Sequence, residues 1–438
     1  MSLPLRKPLF WIHLVVGIVA GLVVAIMSIT GVAIAFESQV LSWAESEART
    51  VAAPPGEVKR LPVEELLAKV RAAKPDAQVS GVTVYPAPTS AVLVSLGRTS
   101  GVYVNPYTGE VREGGAQGWR DFFHFMEEWH RWLATAGDNR PTGKLITGVS
   151  NVSFLFLALS GLYLWFPRKW SLKQLRPIVW FRRGLKGKAR DFNWHNVIGL
   201  WSVPVLVVVT ASAMVISFKW ASDFTYTVTG NTPPAQQGPG GSAGVKVDAP
   251  SSETRRLPLE PLFATAQQAM PAWESITYRL PSPPRGAGPK PEGQQGEANG
   301  PRGQQGERDG KKDAAPQADS SAQGRDAGKV DAVTLSVRER DGWPYFASTQ
   351  LSMNPFSGEL AKREGYADFN SGRKLRTWLR FLHTGEALGW PGQLIAAIAS
   401  LGGVFLVWTG LALAWRRFFP RRQARTTASE QEGPEPVA

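Results

Sequence analysis

Four long apolar runs divide the chain, at 9–36, 145–166, 197–218 and 394–415, and none has an Asp, Glu, Lys or Arg in its interior. Each is long enough to cross roughly 30 Å of hydrocarbon as a helix. Between them the period of the pattern changes. The segment "LPVEELLAKVRAAKP" (61–75) spaces its apolar residues like an amphipathic helix, and "VTVYPAPTSAVLVSLG" (82–97) alternates like half-buried strands. An Asn-Pro-aromatic turn in "YVNPYTGEV" (103–111) closes a strand pair.

The same order returns after the third run. "LPLEPLFATAQQAMP" (257–271) repeats the Leu-Pro entry with its prolines again thirteen apart, and "SMNPFSGEL" (352–360) repeats the turn. "HLVVG" (13–17) matches "HNVIG" (195–199). "PTGKLI" (141–146) matches "PGQLI" (391–395), which places Ser160-Gly161 opposite Thr409-Gly410. The predicted fold class is an α-helical membrane bundle of four main transmembrane helices, internally duplicated, with two outer α+β domains. The expected order is span 1–36, outer domain 37–118, juxtamembrane helix 119–143, span 144–167, basic loop 168–192 and span 193–220. The second outer domain (221–370), a juxtamembrane segment (371–392), span 393–415 and the tail 416–438 complete it. A tract rich in Gly, Pro, Gln and charge, about 231–332, reads as a disordered insert in the second outer domain.

Charge sets the orientation. The loop "PRKWSLKQLRPIVWFRRGLKGKARD" has nine Lys or Arg against one Asp, and the tail opens "RRFFPRRQAR". By the positive-inside rule both face the cytoplasm together with the N-terminus. The long segments then lie outside, which in a bacterium is the periplasm, and the protein is expected in the inner membrane. Topology thus accounts for the net charge of +13 without nucleic-acid binding. Arg6, Lys7 and the "AIA" at 33–35 imitate a secretion signal, but the run is nearly twice a signal's usual length, so an uncleaved anchor is expected.

The absence of cysteine removes disulfides, iron–sulfur clusters, thiolate zinc sites and covalent c-type haem attachment together. No phosphate-binding loop, dinucleotide fingerprint or substrate nucleophile stands out, so the chain shows no nicotinamide or flavin site of its own. Histidine carries the chemistry instead. There are five, and the repeat pairs four: His13 with His195 near the inner ends of their helices, and His130 with His383 near the outer surface. Two equivalent histidines facing each other form an axial pair for a six-coordinate haem iron, and a b-type haem needs nothing covalent. Two haems b, one near each surface, would make a transmembrane electron path. Gly17 and Gly199, one turn beyond His13 and His195, leave room on the same face for a flat macrocycle. The alternatives are polar anchoring at the headgroups, and zinc at the outer pair with Glu127, Glu128 and Glu386. His124 is unpaired: six residues from His130 it points about 120° away on a helix, and Thr377 stands opposite in the repeat. It reads as an alternative ligand or a group at the haem edge or substrate side.

The chain resembles the PepSY-associated transmembrane family, whose members include bacterial inner-membrane ferric-siderophore reductases. The resemblance rests on "FWIHLVVGIVAGLVVAIMSITG", "EWHRWL" leading to "LALSGLYLWFPR", "DFNWHNVIGLW", and "RFLHTGEALGWPGQLI" with "WTGLALAWRR". The Asn-Pro-Tyr-Thr-Gly-Glu turn is similar to that of PepSY domains. It implies two periplasmic PepSY-like domains and haem b held by His13, His195, His130 and His383. It implies electron transfer from a quinol or a cytoplasmic reductase to iron(III) in a siderophore. Trp129, Arg131, Trp132, Trp378 and Arg380 flank the outer pair, either where a chelate would rest or as an aromatic belt with basic anchors. A conduit to another periplasmic redox partner and a non-redox scaffold or sensor are the other functions compatible with these residues.

Overall fold

The computed structural model describes residues 5–419 apart from 57, 98–99, 168–170, 235–244, 249–254 and 281–328. The chain begins with α1 (Arg6–Ile34), α2 (Glu37–Ala44) and the one-turn α3 (Ser46–Arg49). Helix α4 (Val63–Ala73) and strands β1 (Val79–Val84), β2 (Val92–Leu96), β3 (Ser100–Val104) and β4 (Val111–Glu113) follow. Then come α5 (Gln117–Trp132), α6 (Arg140–Trp165), α7 (Leu172–Val179), α8 (Gly187–Ser217) and α9 (Lys219–Thr227). The last third contains β5 (Lys246–Asp248), α10 (Leu259–Ala269), β6 (Trp273–Arg279), β7 (Lys329–Asp331), β8 (Val333–Glu339), β9 (Thr349–Met353) and β10 (Leu360–Glu364). It ends with α11 (Ser371–Thr384) and α12 (Gly389–Phe418).

Helices α1, α6, α8 and α12 are each long and apolar enough to cross a membrane. They form a ring in which α1 and α8 each pack against α6 and α12. Their burial is the reverse of a water-soluble bundle. Ser28, Thr30, Thr147, Asn151, Ser160, Ser202, Thr210, Ser212 and Thr409 are buried, while Val19, Leu22, Leu145, Ile398 and Trp408 are exposed. Small and hydroxylated residues let backbones approach where lipid gives no hydrophobic drive between helices. Buried hydroxyls return their hydrogens to the preceding turn, as Thr210 does to Leu206 O at 2.7 Å. Asn151 Nδ2 crosses from α6 to Thr210 O of α8 at 2.9 Å.

The two predicted outer domains are one body. A single eight-stranded antiparallel sheet runs β10-β9-β8-β6-β1-β2-β3-β4, with β1 and β6 joining the halves. At that seam Thr83 and Thr277 hydrogen-bond across the strands at 2.9 Å. Helices α4 and α10 bury Leu66, Leu67, Val70, Leu262, Phe263 and Ala266 in one shared core. A four-stranded half would leave an open edge and half its helix cover, whereas the pairing removes both edges at the join. Each half closes with the same turn: Asn105 Oδ1 accepts from Tyr107 N and Asn354 Oδ1 from Phe356 N, both at 2.9 Å.

The expected disordered insert at 231–332 needs correction, because β5, α10, β6 and β7 fall inside it. The repeated Leu-Pro segment at 257–271 supplies α10, whose Leu262 and Phe263 are core residues, while the polar tracts around it dominate the composition. The rest of that expectation concerns 235–244, 249–254 and 281–328, which lie outside the described residues.

The two covering helices also cap each other. Glu260 Oε2 accepts from Val63 N at 3.2 Å, and Glu64 Oε1 accepts from Leu259 N. Each glutamate thus satisfies an otherwise unpaired first-turn donor of the other helix. Desolvation, with Glu260 nearby, raises the Glu64 carboxyl above its ordinary value of 4.5. A carboxylate raised in the folded state binds more protons than in the unfolded state, so its contribution to stability falls as pH rises above about 4.5. Glu64→Gln retains the acceptor without the charge. Thermal unfolding should show it gaining on the native chain at pH 7 and matching it at pH 4.

Candidate functional site

His130 ends α5, where the chain turns through Leu133 and Ala134 at φ 52° and 55°. His383 ends α11, where Gly385 at φ +78° breaks the helix. A β-carbon at Gly385 would lie 2.7 Å from Gln393 Cα, so this corner requires glycine. The two turns carry the histidines from outside the ring into its sheet-side end, called the outer end below, α5 against α1 and α6, α11 against α8 and α12.

There His130 and His383 face each other with ring centres 6.2 Å apart. Nδ1 of His130 donates to Met27 O at 3.0 Å, with the Thr30 hydroxyl also at 3.0 Å, and Nδ1 of His383 donates to Val209 O at 2.9 Å. A carbonyl only accepts, so it fixes the tautomer: Nδ1 carries the proton and Nε2 keeps its lone pair. The rings line a cavity of about 480 Å³, walled by residues such as Val24, Phe154, Leu206 and Ala396, with Glu37, Glu127 and Glu386 also along its lining. That volume falls within the roughly 300–1,000 Å³ of cofactor sites.

The inner pair follows the same rule. His13 Nδ1 meets Ser160 Oγ at 2.8 Å, and His195 Nδ1 meets Thr409 Oγ1 at 2.9 Å. Both hydroxyl hydrogens are already committed, to Leu157 O at 3.3 Å and to Phe405 O at 2.7 Å. Each oxygen therefore accepts from its imidazole and again leaves Nε2 unprotonated. His13 on α1 is thereby held against α6, and His195 on α8 against α12. Among the described residues, no protein group hydrogen-bonds Nε2 of any of these four histidines.

Glycines admit the rings, though not the predicted ones. Positions for a β-carbon on Gly31, Gly161 and Gly410 lie 3.4, 3.4 and 3.5 Å from Cε1 of His130, His13 and His195. Gly17 and Gly199, expected to clear space for a macrocycle, instead face Leu157 and Leu406 at 3.8 and 3.5 Å, ordinary helix contacts. Sequence reasoning aligned Ser160-Gly161 with Thr409-Gly410 but gave these pairs no role; a hydroxyl-glycine dipeptide opposite each inner histidine was the available signal.

His124 does not join the site. It is about half exposed on α5, 3.7 Å from Glu128, so the alternative-ligand reading is overturned by its direction. The residues expected on the substrate side are outside the cavity lining. Arg131 pairs with Glu127 at 2.5 Å and lies over Trp132, which Arg140 covers from 4.2 Å. Trp129 packs edge-on to Phe125, Trp378 Nε1 donates to the Tyr366 hydroxyl at 2.6 Å, and Arg380 lies over Phe381. Glu128 is held by Arg140 at 3.0 Å, and no three His, Asp or Glu side chains gather as a metal site among the described residues. Glu37, Glu127 and Glu386 line the cavity without gathering on the two imidazoles, a donor set that suits an iron whose other four ligands come from a porphyrin better than it suits tetrahedral zinc.

The distance supports that donor set. An iron between two imidazoles needs about 2 Å to each nitrogen and about 1 Å more to each ring centre, roughly 6 Å in all. The family of the PepSY-associated TM region matches residues 10–417 of the 438, and the chain belongs to that family. No curated protein matches it.

Proposed function

We propose that this protein is an oxidoreductase of the bacterial inner membrane that carries electrons through two haems b to ferric siderophores in the periplasm. The observation that carries the reading is the set of four half-buried histidines, matched two by two through the repeat, each with Nδ1 tied down, with His130 and His383 facing each other at 6.2 Å. The matching contacts of the two halves support an internal duplication: His13 with Ser160 and His195 with Thr409, then His130 with Met27 O and His383 with Val209 O. On this reading the sheet is periplasmic, and the basic residues at the opposite end of the bundle are cytoplasmic.

Haem iron held at each pair would supply reversible one-electron exchange between its ferric and ferrous states. The protein's part is to fix the imidazole nitrogens that would hold the iron. Main-chain carbonyls and hydroxyls hold the outer and inner imidazoles in one tautomer, and that hydrogen bonding makes the opposite nitrogen a better donor. Arg182, Arg183, Lys186 and Lys188 form a cationic surface for an acidic cytoplasmic reductase, while a quinol would reach the bundle from the bilayer. Reduction of iron(III) to iron(II) weakens hard oxygen ligands and frees the metal.

The test is optical and then chemical. Purified protein is expected to show a sharp Soret band and, after dithionite, a b-type α-band. Adding a ferric hydroxamate chelate to the reduced protein with a ferrous-specific chelator should reoxidise the haem and produce the coloured ferrous complex in equal electron count. Haem reoxidised by other acceptors but not by ferric chelates would leave the conduit and remove the siderophore assignment. Colourless protein from haem-supplied cells would remove both.

A further inference from the structure

The β8–β9 loop is long and aromatic, whereas only residues 97–99 separate β2 from β3 in the first half. It reads "RDGWPYFAS" at 340–348. Phe346 stacks on Phe381 of α11 with ring centres 4.1 Å and planes 9° apart, and Trp378 meets Phe346 edge-on at 5.2 Å. These contacts fix how deep the loop reaches.

Helix α11 descends along α9 and α8. Gly372 lies against Tyr226, Arg376 Nε donates to Ser222 Oγ at 2.8 Å, and His383 reaches Val209 O at 2.9 Å. Val209 is eight residues before the end of α8 at Ser217, about 12 Å inside it at 1.5 Å per residue. Phe381 is only two residues from His383, so the loop is held level with the last turns of an apolar span, with α11 between them. At that depth Trp343 and Tyr345 nevertheless present 64% and 59% of their surface, stacked edge-on to each other at 5.2 Å. Trp343 also lies 6.1 Å from Trp378.

We propose that the β8–β9 loop is a membrane anchor, with Trp343 and Tyr345 seated at the headgroup–acyl boundary of the leaflet on the sheet side. Lipid, not a ferric chelate, is then the partner of this face of α11. Amphipathic rings favour that boundary because one part is apolar and another hydrogen-bonds water or headgroups. The first half meets the same need differently, through the exposed Trp119, Phe122 and Phe125 of α5. The loop ties the sheet to the bilayer above the outer histidine pair.

The lack of native cysteine makes the test direct. Trp343→Cys and, separately, Tyr345→Cys carry a nitroxide in the full chain in lipid nanodiscs, with Val19→Cys as lipid reference and Arg71→Cys as aqueous reference. Power saturation with oxygen and with a water-soluble nickel chelate reads the depth. Labels at 343 and 345 should be at least three-fold more accessible to oxygen relative to nickel than the label at 71. Values equal to those at 71 overturn the anchor and return the loop to solvent, free for a soluble ligand. The second label keeps Trp343 in place, so misfolding of one variant does not decide the outcome, and neither reading depends on bound haem.

Discussion

Replacing both His130 and His383 with alanine is expected to halve the haem content of the purified protein, from two per chain to one. The pair supplies the two imidazoles that line the outer cavity, and the remaining lining there consists of apolar residues, hydroxyls, amides and carboxylates. None of these replaces an imidazole on low-spin iron. The inner pair is anchored on other helices, by Ser160 and Thr409, so its haem should remain. The reciprocal double variant, His13→Ala with His195→Ala, should lose the other haem. His124→Ala should lose neither, because that ring points away toward Glu128. Pyridine haemochromogen assays normalised to protein decide these cases.

Glu45→Ala is expected to have the largest effect on folding outside the membrane. Glu45 is fully buried where α2 meets the sheet and α5. It accepts from the Tyr103 hydroxyl at 2.8 Å and from Arg120 Nε at 2.6 Å, and Arg49 closes the group at 3.3 Å. Burial and the hydrogen bond to Glu45 push the Tyr103 phenol well above its usual range, so it stays a neutral donor. Removing one member of a buried ionic group strands the others, at a cost of about 3–5 kcal/mol. Arg120 lies on α5, the helix that ends in His130, so the damage should spread to the outer pair. Hydrogen exchange should accelerate in β3 and along α5 while α8 and α12 remain protected. Glu45→Gln, which keeps one acceptor oxygen, should lose less than half as much stability.

Much of the bundle was legible because the bilayer imposes one rule on each span: apolar, uncharged and long. The ends were less legible. The third span was read from 193 or 197, yet α8 begins at Gly187 and includes Asp191. That charge stays inside the helix because Arg190 and Arg416 pair with it at 2.9 and 3.0 Å, and Arg416 lies 225 residues away in the chain. The His130–His383 pair was legible because the repeat places the two histidines in corresponding positions. What selects their nitrogens was not, since Met27 and Val209 act through main-chain carbonyls that leave no side-chain signature. The union of the two halves in one sheet was hidden for a similar reason. Pairing of β1 with β6 depends on strand edges far apart in sequence, and each strand alone reads as half of a smaller domain. His124, Gly17 and Gly199 show the limit of helical spacing as a guide: it gives the angle of a side chain but not the neighbour that fills it.

The most direct measurement is the haem stoichiometry and spin state of the native chain, by pyridine haemochromogen and low-temperature electron paramagnetic resonance. Two haems b per chain, both low-spin with bis-imidazole signals, is the expected result. A haem-free chain from haem-replete cells, or haem that stays low-spin and undiminished after all four paired histidines are replaced, would contradict the assignment.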